Sequence, residues 1–416
     1  MVQKTNLKMN YKQVKKCQIS NSRNLKKILS LGLIPPVNQM FKTKSSFKDQ
    51  EFYPTELFYC LKSHLVQLGI EVDKNILFPK NYPYTSSTTR ILRDNFFDLA
   101  NEVTSNFKIN KNDLVIDIGS NDGNLLSNFK KYCKVLGVTP ENIASIAIKK
   151  GIPTIQDYFS PKITTKILKK YGKAKIITAT NVFAHIEEIT KILKSIKKLM
   201  NKDSLFITES HYLVKLIKEV QYDTIYHEHL RYYSLLSLKY LFEKNGLEII
   251  KAKEINTHGG SIRVYAAFKG VFNKSKNLKK MLIYEKKFIK NNLDNFSKKV
   301  LKSKLDLYNL LRSIKLKNHK IYGISAPSRA TTLANYIGLK KDIIDCILEI
   351  DGSKKINHFL PGTDIPIFNE KKLYKDQPPF VFIFSWHIQE DIIKNLKKNG
   401  YMGKFIIPLP TPKIIN

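Results

Sequence analysis

The sequence predicts an α/β chain centred on a doubly wound, mostly parallel sheet, with a smaller domain on each side of it. Three observations predict this. From about residue 96 to 270, short apolar runs alternate with stretches whose apolar residues recur at three- and four-residue spacing, the mark of strands alternating with helices. The last two runs are separated by Asn256–Gly260 alone, too short for a helical crossover, so they form an antiparallel pair at the sheet edge. At 416 residues the chain is also too long for one ordinary domain.

The expected strands of the central domain are Asp113–Gly119, Lys134–Thr139, Pro153–Gln156, Ala174–Thr180, Ser204–Glu209, Leu247–Ile255 and Ser261–Phe268. Residues 1–95 read as a small irregular domain with turn-rich pieces. Residues 271–318 are Lys-rich with apolar residues at helical spacing, a helical connector. Residues 319–416 form a second, smaller α/β unit, with strands expected at Lys320–Ser325, Ile343–Ile350, Phe380–Trp386 and Lys404–Pro408.

A net charge of +36 raises the question of nucleic acid. Only seven of the 71 basic residues are Arg, the residue suited to bidentate phosphate and base contacts, and the lysines are spread along the whole chain. A solvated surface is expected, with no nucleic-acid partner, although a positive field attracts an anionic small substrate. No apolar run reaches membrane-span length and the first residues are polar and Lys-rich, so neither a membrane partner nor a secretion signal is expected, and the expected location is cytoplasmic. Four scattered cysteines give no disulfide framework.

The strongest chemical signal is Leu114-Val-Ile-Asp-Ile-Gly-Ser-Asn-Asp-Gly-Asn-Leu-Leu126, an apolar strand running through a glycine turn into a helix. Gly119 lets the turn tighten and a ligand approach the backbone. A dinucleotide loop would carry three glycines aimed at a pyrophosphate. Ser120, Asn121 and Asp122 instead supply acceptors, which suit the amine and hydroxyls of S-adenosylmethionine (SAM). Gly119, Ser120, Asn121, Asp122 and Gly123 are therefore candidate cofactor contacts, joined by Asn181 after the fourth strand. At the end of the second strand, where an acid usually holds the ribose, stands Thr139, with Glu141 two residues late.

Five of the nine histidines fall between His185 and His258, in short polar segments at or near strand ends. His227-Glu228-His229 share no face of a helix and no H-E-x-x-H spacing occurs, so no metal site is expected. His229, preceded by an acid and a tyrosine, is the candidate general base.

In their joint order these motifs carry a resemblance. Tyr82-Pro-Tyr-Thr-Ser-Ser87, Ile118-Gly-Ser-Asn-Asp-Gly123, Asn181-Val-Phe-Ala-His-Ile186, Asp223-Thr-Ile-Tyr-His-Glu-His229, Thr257-His-Gly-Gly-Ser261, Pro361-Gly-Thr-Asp-Ile-Pro-Ile367 and Ile406-Ile-Pro-Leu-Pro410 are all present. Over nearly its whole length the chain resembles the three-domain sugar C-methyltransferases, which act on nucleotide-linked 4-keto-6-deoxy sugars. The resemblance implies a Rossmann-like class I methyltransferase sheet and deprotonation at C3 of the sugar to an enolate that takes a methyl from SAM. It makes His229 the base with Glu228 its neighbour or substitute. Tyr84 and Tyr226 would bind substrate or the enolate oxygen, and His185 would lie between donor and sugar. Tyr82, Ser86, Ser87, His258, Gly259 and Arg329 are the implied substrate contacts. In similar proteins two C-x-x-C pairs bind a structural zinc, but here they read Cys17-Gln-Ile-Ser20 and Cys60-Leu-Lys-Ser63. With Ser20 and Ser63 in place of thiolates, zinc is not expected.

Overall fold

The computed structural model describes residues 10–43, 48–78 and 89–416. Residues 10–72 are more regular than the sequence suggests. Strand β1 (Tyr11–Gln13) pairs with β5 (Ile70–Val72), while β2 (Leu25–Ile34), β3 (Tyr53–Cys60) and β4 (Val66–Leu68) form an antiparallel sheet. In β3 the alternation is clean, with Tyr53, Thr55, Leu57 and Tyr59 buried and the residues between them half-exposed. The fourth strand of this sheet comes from far along the chain. It is β11 (Arg231–Tyr232), directly after the His229 segment, paired with β4 through Arg231↔Gln67 and Tyr232↔Val66.

The central sheet has seven strands: β6 (Leu114–Ile118), β7 (Lys134–Val138), β8 (Thr154–Ile155), β9 (Ala174–Thr180), β10 (Met200–His211), β12 (Leu247–Ile255) and β13 (Ser261–Phe268). Their order is β12-β13-β10-β9-β6-β7-β8, with β13 antiparallel to both neighbours and the other pairs parallel. This is the class I methyltransferase arrangement. Every residue of β6 is buried, because helices cover both faces of the sheet. On one face helix Arg90–Asn106 packs Phe96, Leu99 and Val103 against Val115 and Ile207. On the other, helix Ile189–Leu199 packs Leu193 and Ile196 among Ile116, Ile177 and Phe206.

Helices Lys276–Asn292 and Phe296–Lys315 follow, and then a six-stranded sheet. Its strands are β14 (Ile321–Ile324), β15 (Cys346–Glu349), β16 (Ile367–Asn369), β17 (Phe380–Ile383), β18 (Lys404–Ile407) and β19 (Lys413–Ile415). Only β19 runs antiparallel to its neighbour. The short strands β16 and β19 were not among those expected. One continuous core joins Leu57 of the first sheet, Tyr222 and Ile225 before His229, Leu307 of the second helix, and the C-terminal sheet. The segment carrying the candidate base therefore lies where all three units meet. No helix among the described residues is long and apolar enough to cross a membrane.

Candidate active site

The glycine turn after β6 is packed tightly against neighbouring elements. Gly119 has a φ of +76° and Gly123 one of +77°, both in the left-handed region. A Cβ at Gly119 would overlap the Val182 side chain, and one at Gly123 would stand 2.7 Å from Ile152 Cδ1. These glycines thus make room for neighbouring protein. A valine at Gly119 would therefore clash with Val182. Two of the three expected acceptors are also turned inward. Ser120 is buried beside Gly137 of β7, its hydroxyl without a partner among the described residues. Asp122 is fully buried and pairs with Lys150 at 3.5 Å. Asn121, half-buried with a φ of +49°, is the one left on the outer side of the turn.

Two neighbouring groups complete this corner. Thr139, at the end of β7, donates its hydroxyl to the Glu141 carboxylate, so the acid that comes late in sequence returns to the strand end. Asn181 has a φ of +57° and donates its backbone N–H to the Glu209 carbonyl at 2.9 Å. It leads into Val182, which ties the Asn181–His185 turn to Gly119. Below the loop Asp117 is buried and accepts from the Thr178 hydroxyl at 2.6 Å, and desolvation pushes its carboxyl up to about 7.

The second half of the site is a set of imidazoles. His185 and His229 have ring centroids 5.0 Å apart, and Tyr226 covers His229 at 4.1 Å with an interplanar angle of 33°. His229 Nδ1 lies 2.9 Å from the Thr224 carbonyl, and His185 Nδ1 lies 2.6 Å from the Glu228 carbonyl. A carbonyl only accepts, so each Nδ1 carries the proton and each Nε2 keeps its lone pair. His211 Nε2 meets Gln221 Oε1 at 2.7 Å, and the Gln221 amide in turn donates to the Gly259 carbonyl at 2.6 Å. Burial pushes the proton affinity of the whole set down, His211 to about 3 and His258 to about 4. Burial first, then His185, holds His229 well below the ordinary histidine range.

His227 does not join them. Its Nε2 lies 3.1 Å from Thr55 Oγ1 and 3.2 Å from the Pro54 carbonyl, facing the N-terminal sheet. The backbone turns here, with the His229 N–H on the Tyr226 carbonyl at 3.0 Å, so His227 and His229 face different neighbours. Among the described residues no three His, Cys, Asp or Glu side chains group as metal ligands. Glu228 accepts from Asn38 Nδ2 at 2.7 Å, and Asn38 Oδ1 accepts from the Ser328 hydroxyl at 3.1 Å, which links all three units.

Arg329 is no surface residue. Its guanidinium is buried and pairs with Asp223 at 3.5 Å. It also donates to the His258 carbonyl and to His387 Nδ1, each at 3.1 Å. Tyr82, Tyr84, Ser86 and Ser87 lie outside the described residues. A cavity of about 560 Å³ opens between the central and C-terminal units, lined by Lys215, Gly259, Gly260, Trp386, His387 and Leu409 among others.

Sequence reasoning missed three features. His387 enters from the C-terminal unit. Asp223 bonds the Trp386 indole at 2.8 Å. Glu209 and Arg263 form a fully buried pair at 2.5 Å, with Asn95 on both partners. Arg263 lies two residues past the Thr257–Ser261 motif, but nothing in the spacing paired it with Glu209.

In the N-terminal unit Cys17, Ser20, Cys60 and Ser63 converge and are buried. Cys17 Sγ lies 3.1 Å from Ser63 Oγ, and Ser20 Oγ lies 3.4 Å from Cys60 Sγ. The hydroxyls and thiols hydrogen-bond one another. Two thiols with two neutral hydroxyls make a poor donor set for zinc.

The chain matches three family models in order. Residues 17–78 match "Putative zinc binding domain", 91–252 "Methyltransferase domain" and 256–410 "C-methyltransferase C-terminal domain". C-methyltransferase NovU of Streptomyces niveus is 27% identical over 412 residues, 97% of each chain. Magnesium protoporphyrin IX methyltransferase of Synechocystis with bound SAH aligns at 13% identity over 42% of this chain and 83% of its own, with a TM-score of 0.34. A S-adenosylmethionine-dependent methyltransferase from Clostridium acetobutylicum aligns at 14% identity over 44% of this chain and 94% of its own, also with a TM-score of 0.34.

Proposed function

We propose that this chain is a three-domain, SAM-dependent C-methyltransferase and that it methylates C3 of a nucleotide-linked 4-keto-6-deoxy sugar through an enolate. The observation that carries this reading is the Nδ1–H of His229 held on the Thr224 carbonyl, which leaves Nε2 as a proton acceptor beside Tyr226 and His185.

The Gly119–Gly123 turn, Asn181 and the Thr139–Glu141 pair would hold SAM, with Glu141 in the ribose position. When bound, SAM would supply an electrophilic methyl group, which bonds to the sugar's C3 as the S–CH3 bond breaks and its electron pair returns to sulfur, leaving S-adenosylhomocysteine. His229 Nε2 takes the C3 proton while the electron pair moves toward the C4 oxygen. The low proton affinity of His229 in the free enzyme keeps the imidazole neutral, and so able to accept a proton, at neutral pH, while making it a weaker base. The imidazolium forms next to the enolate it creates, and in a poorly solvated site such opposite charges attract strongly. Phenol donors from Tyr226 and Tyr84 would stabilise the enolate oxygen. His185 Nε2, a lone pair, would accept from a sugar hydroxyl. Gly259 lines the cavity, and His258 and Arg329 would be substrate contacts beside it, with Tyr82, Ser86 and Ser87 as further ones.

A second reading keeps the fold and moves the base to Glu228, whose carboxylate already has one donor in Asn38. The depressed proton affinity of His229 favours it. O-methylation of a sugar hydroxyl is the remaining chemical alternative. The N-terminal unit is proposed to fold without zinc, and a cytoplasmic location suits a nucleotide-linked substrate.

The test is a panel of nucleotide-linked 4-keto-6-deoxy sugars incubated with methyl-labelled SAM and read by mass spectrometry and NMR. A labelled methyl on C3 of one member is expected. A methyl on oxygen, or no transfer to any keto sugar, refutes the proposal.

A further inference from the structure

The segment before His229 is gripped by one helix of the C-terminal unit. Helix Ser328–Ile337 presents Arg329, Thr332 and Tyr336, spaced so that all three share a face. Arg329 pairs with Asp223 at 3.5 Å, the Thr332 hydroxyl donates to the Ile225 carbonyl at 3.3 Å, and Tyr336 meets Tyr222 edge-on with centroids 5.2 Å apart. Trp386, from the loop after β17, adds its indole N–H to Asp223 at 2.8 Å, and the Arg329 guanidinium lies over its ring at 5.5 Å. Asp223 is completely buried, and its other oxygen has no hydrogen bond among the described residues. A carboxylate held this way costs stability, which calls for a role other than packing.

That role lies one residue further on. Thr224 supplies the carbonyl that holds His229 Nδ1. Its position follows from the short 3₁₀ turn Tyr222–Thr224, which is clamped by the contacts above.

We propose that Asp223, Arg329, Thr332 and Trp386 are positioning residues for His229: the C-terminal unit fixes the Thr224 carbonyl and thereby decides which imidazole nitrogen keeps the lone pair. In this reading the C-terminal unit does more than border a substrate cavity. It completes the catalytic centre of its neighbour, and the central domain alone lacks an oriented base. The effect on rate rests on His229 being the base. The effect on the imidazole does not.

The test uses the full-length chain labelled with ¹⁵N-histidine, with a His229→Gln spectrum to assign the resonance. Parent, Asp223→Asn, Trp386→Phe and Thr332→Val are compared. Thr332→Val keeps the side-chain shape and removes one hydrogen bond, so it folds even if Asp223→Asn does not. His229 is expected as the Nδ1–H tautomer in the parent and as a mixture in the variants. Turnover should fall by about 100-fold in Asp223→Asn, the scale of a small misplacement of a reacting group, and in the same direction in Thr332→Val, while the KM for the keto sugar and the affinity for SAM change little. An unchanged tautomer in all the folded variants overturns the proposal. A shifted tautomer with full turnover leaves the positioning standing and removes His229 as the base.

Discussion

Replacing Gly119 by alanine separates two explanations for the glycine after β6. If the residue is small to admit SAM, Gly119→Ala lowers SAM affinity and leaves the fold alone. The structure predicts the reverse emphasis. At a φ of +76° an L side chain costs about 1–2 kcal/mol of backbone strain. The new Cβ would also stand 3.0 Å from Val182 Cβ and closer still to its methyl, an overlap costing about 1–3 kcal/mol in a packed site. Gly119→Ala should therefore lose about 2–5 kcal/mol, the sum of those terms. In a Val182→Ala background the overlap disappears and only the backbone part, about 1–2 kcal/mol, should remain. Urea titrations followed by circular dichroism give the four stabilities of this cycle, and calorimetry gives SAM affinity for each folded variant. A Gly119→Ala protein as stable as its parent but unable to bind SAM would refute the reasoning.

Further outcomes follow from the electrostatics and from the N-terminal unit. Because burial lowers the proton affinity of His229, the free enzyme needs it neutral and is inactivated only as pH falls through that lowered value. kcat/KM should accordingly stay flat down through pH 6.5, and an acid limb centred at 6.5 would contradict the buried setting. Arg263→Met should destabilise by about 3–5 kcal/mol by stranding Glu209, whereas adding Glu209→Met should recover much of that loss. Restoring thiols with Ser20→Cys and Ser63→Cys should create a site for about one zinc per chain by elemental analysis, with the parent holding none. Stoichiometric zinc in the parent would show that two thiols suffice.

The central sheet was legible because its strands are buried on both faces and read as continuous apolar runs, as Leu114–Ile118 does. The N-terminal sheet was not. In β2 the register shifts between Lys27 and Leu29 and again between Ser30 and Leu33, which breaks the alternation that would announce a strand. Its edge strand is two residues borrowed from the far side of the chain. At the site, motif order pointed to the strand-end loops but not to side-chain direction. Ser120 and Asp122 lie inside, and Glu141 returns to Thr139, neither of which spacing alone can state. The Asp223–Trp386 bond was beyond reach for a simpler reason: its partners are 163 residues apart and join two domains.

The most direct test of the catalytic account is exchange of the sugar's C3 proton with deuterated water in His229→Ala and Glu228→Gln, run beside methyl transfer from SAM. The account predicts that His229→Ala loses both by about 10²–10⁴-fold while still binding SAM, as expected for a positioned base. If His229→Ala keeps both and Glu228→Gln loses them, the base is Glu228. Full exchange and transfer in both variants would contradict an enolate formed at this site.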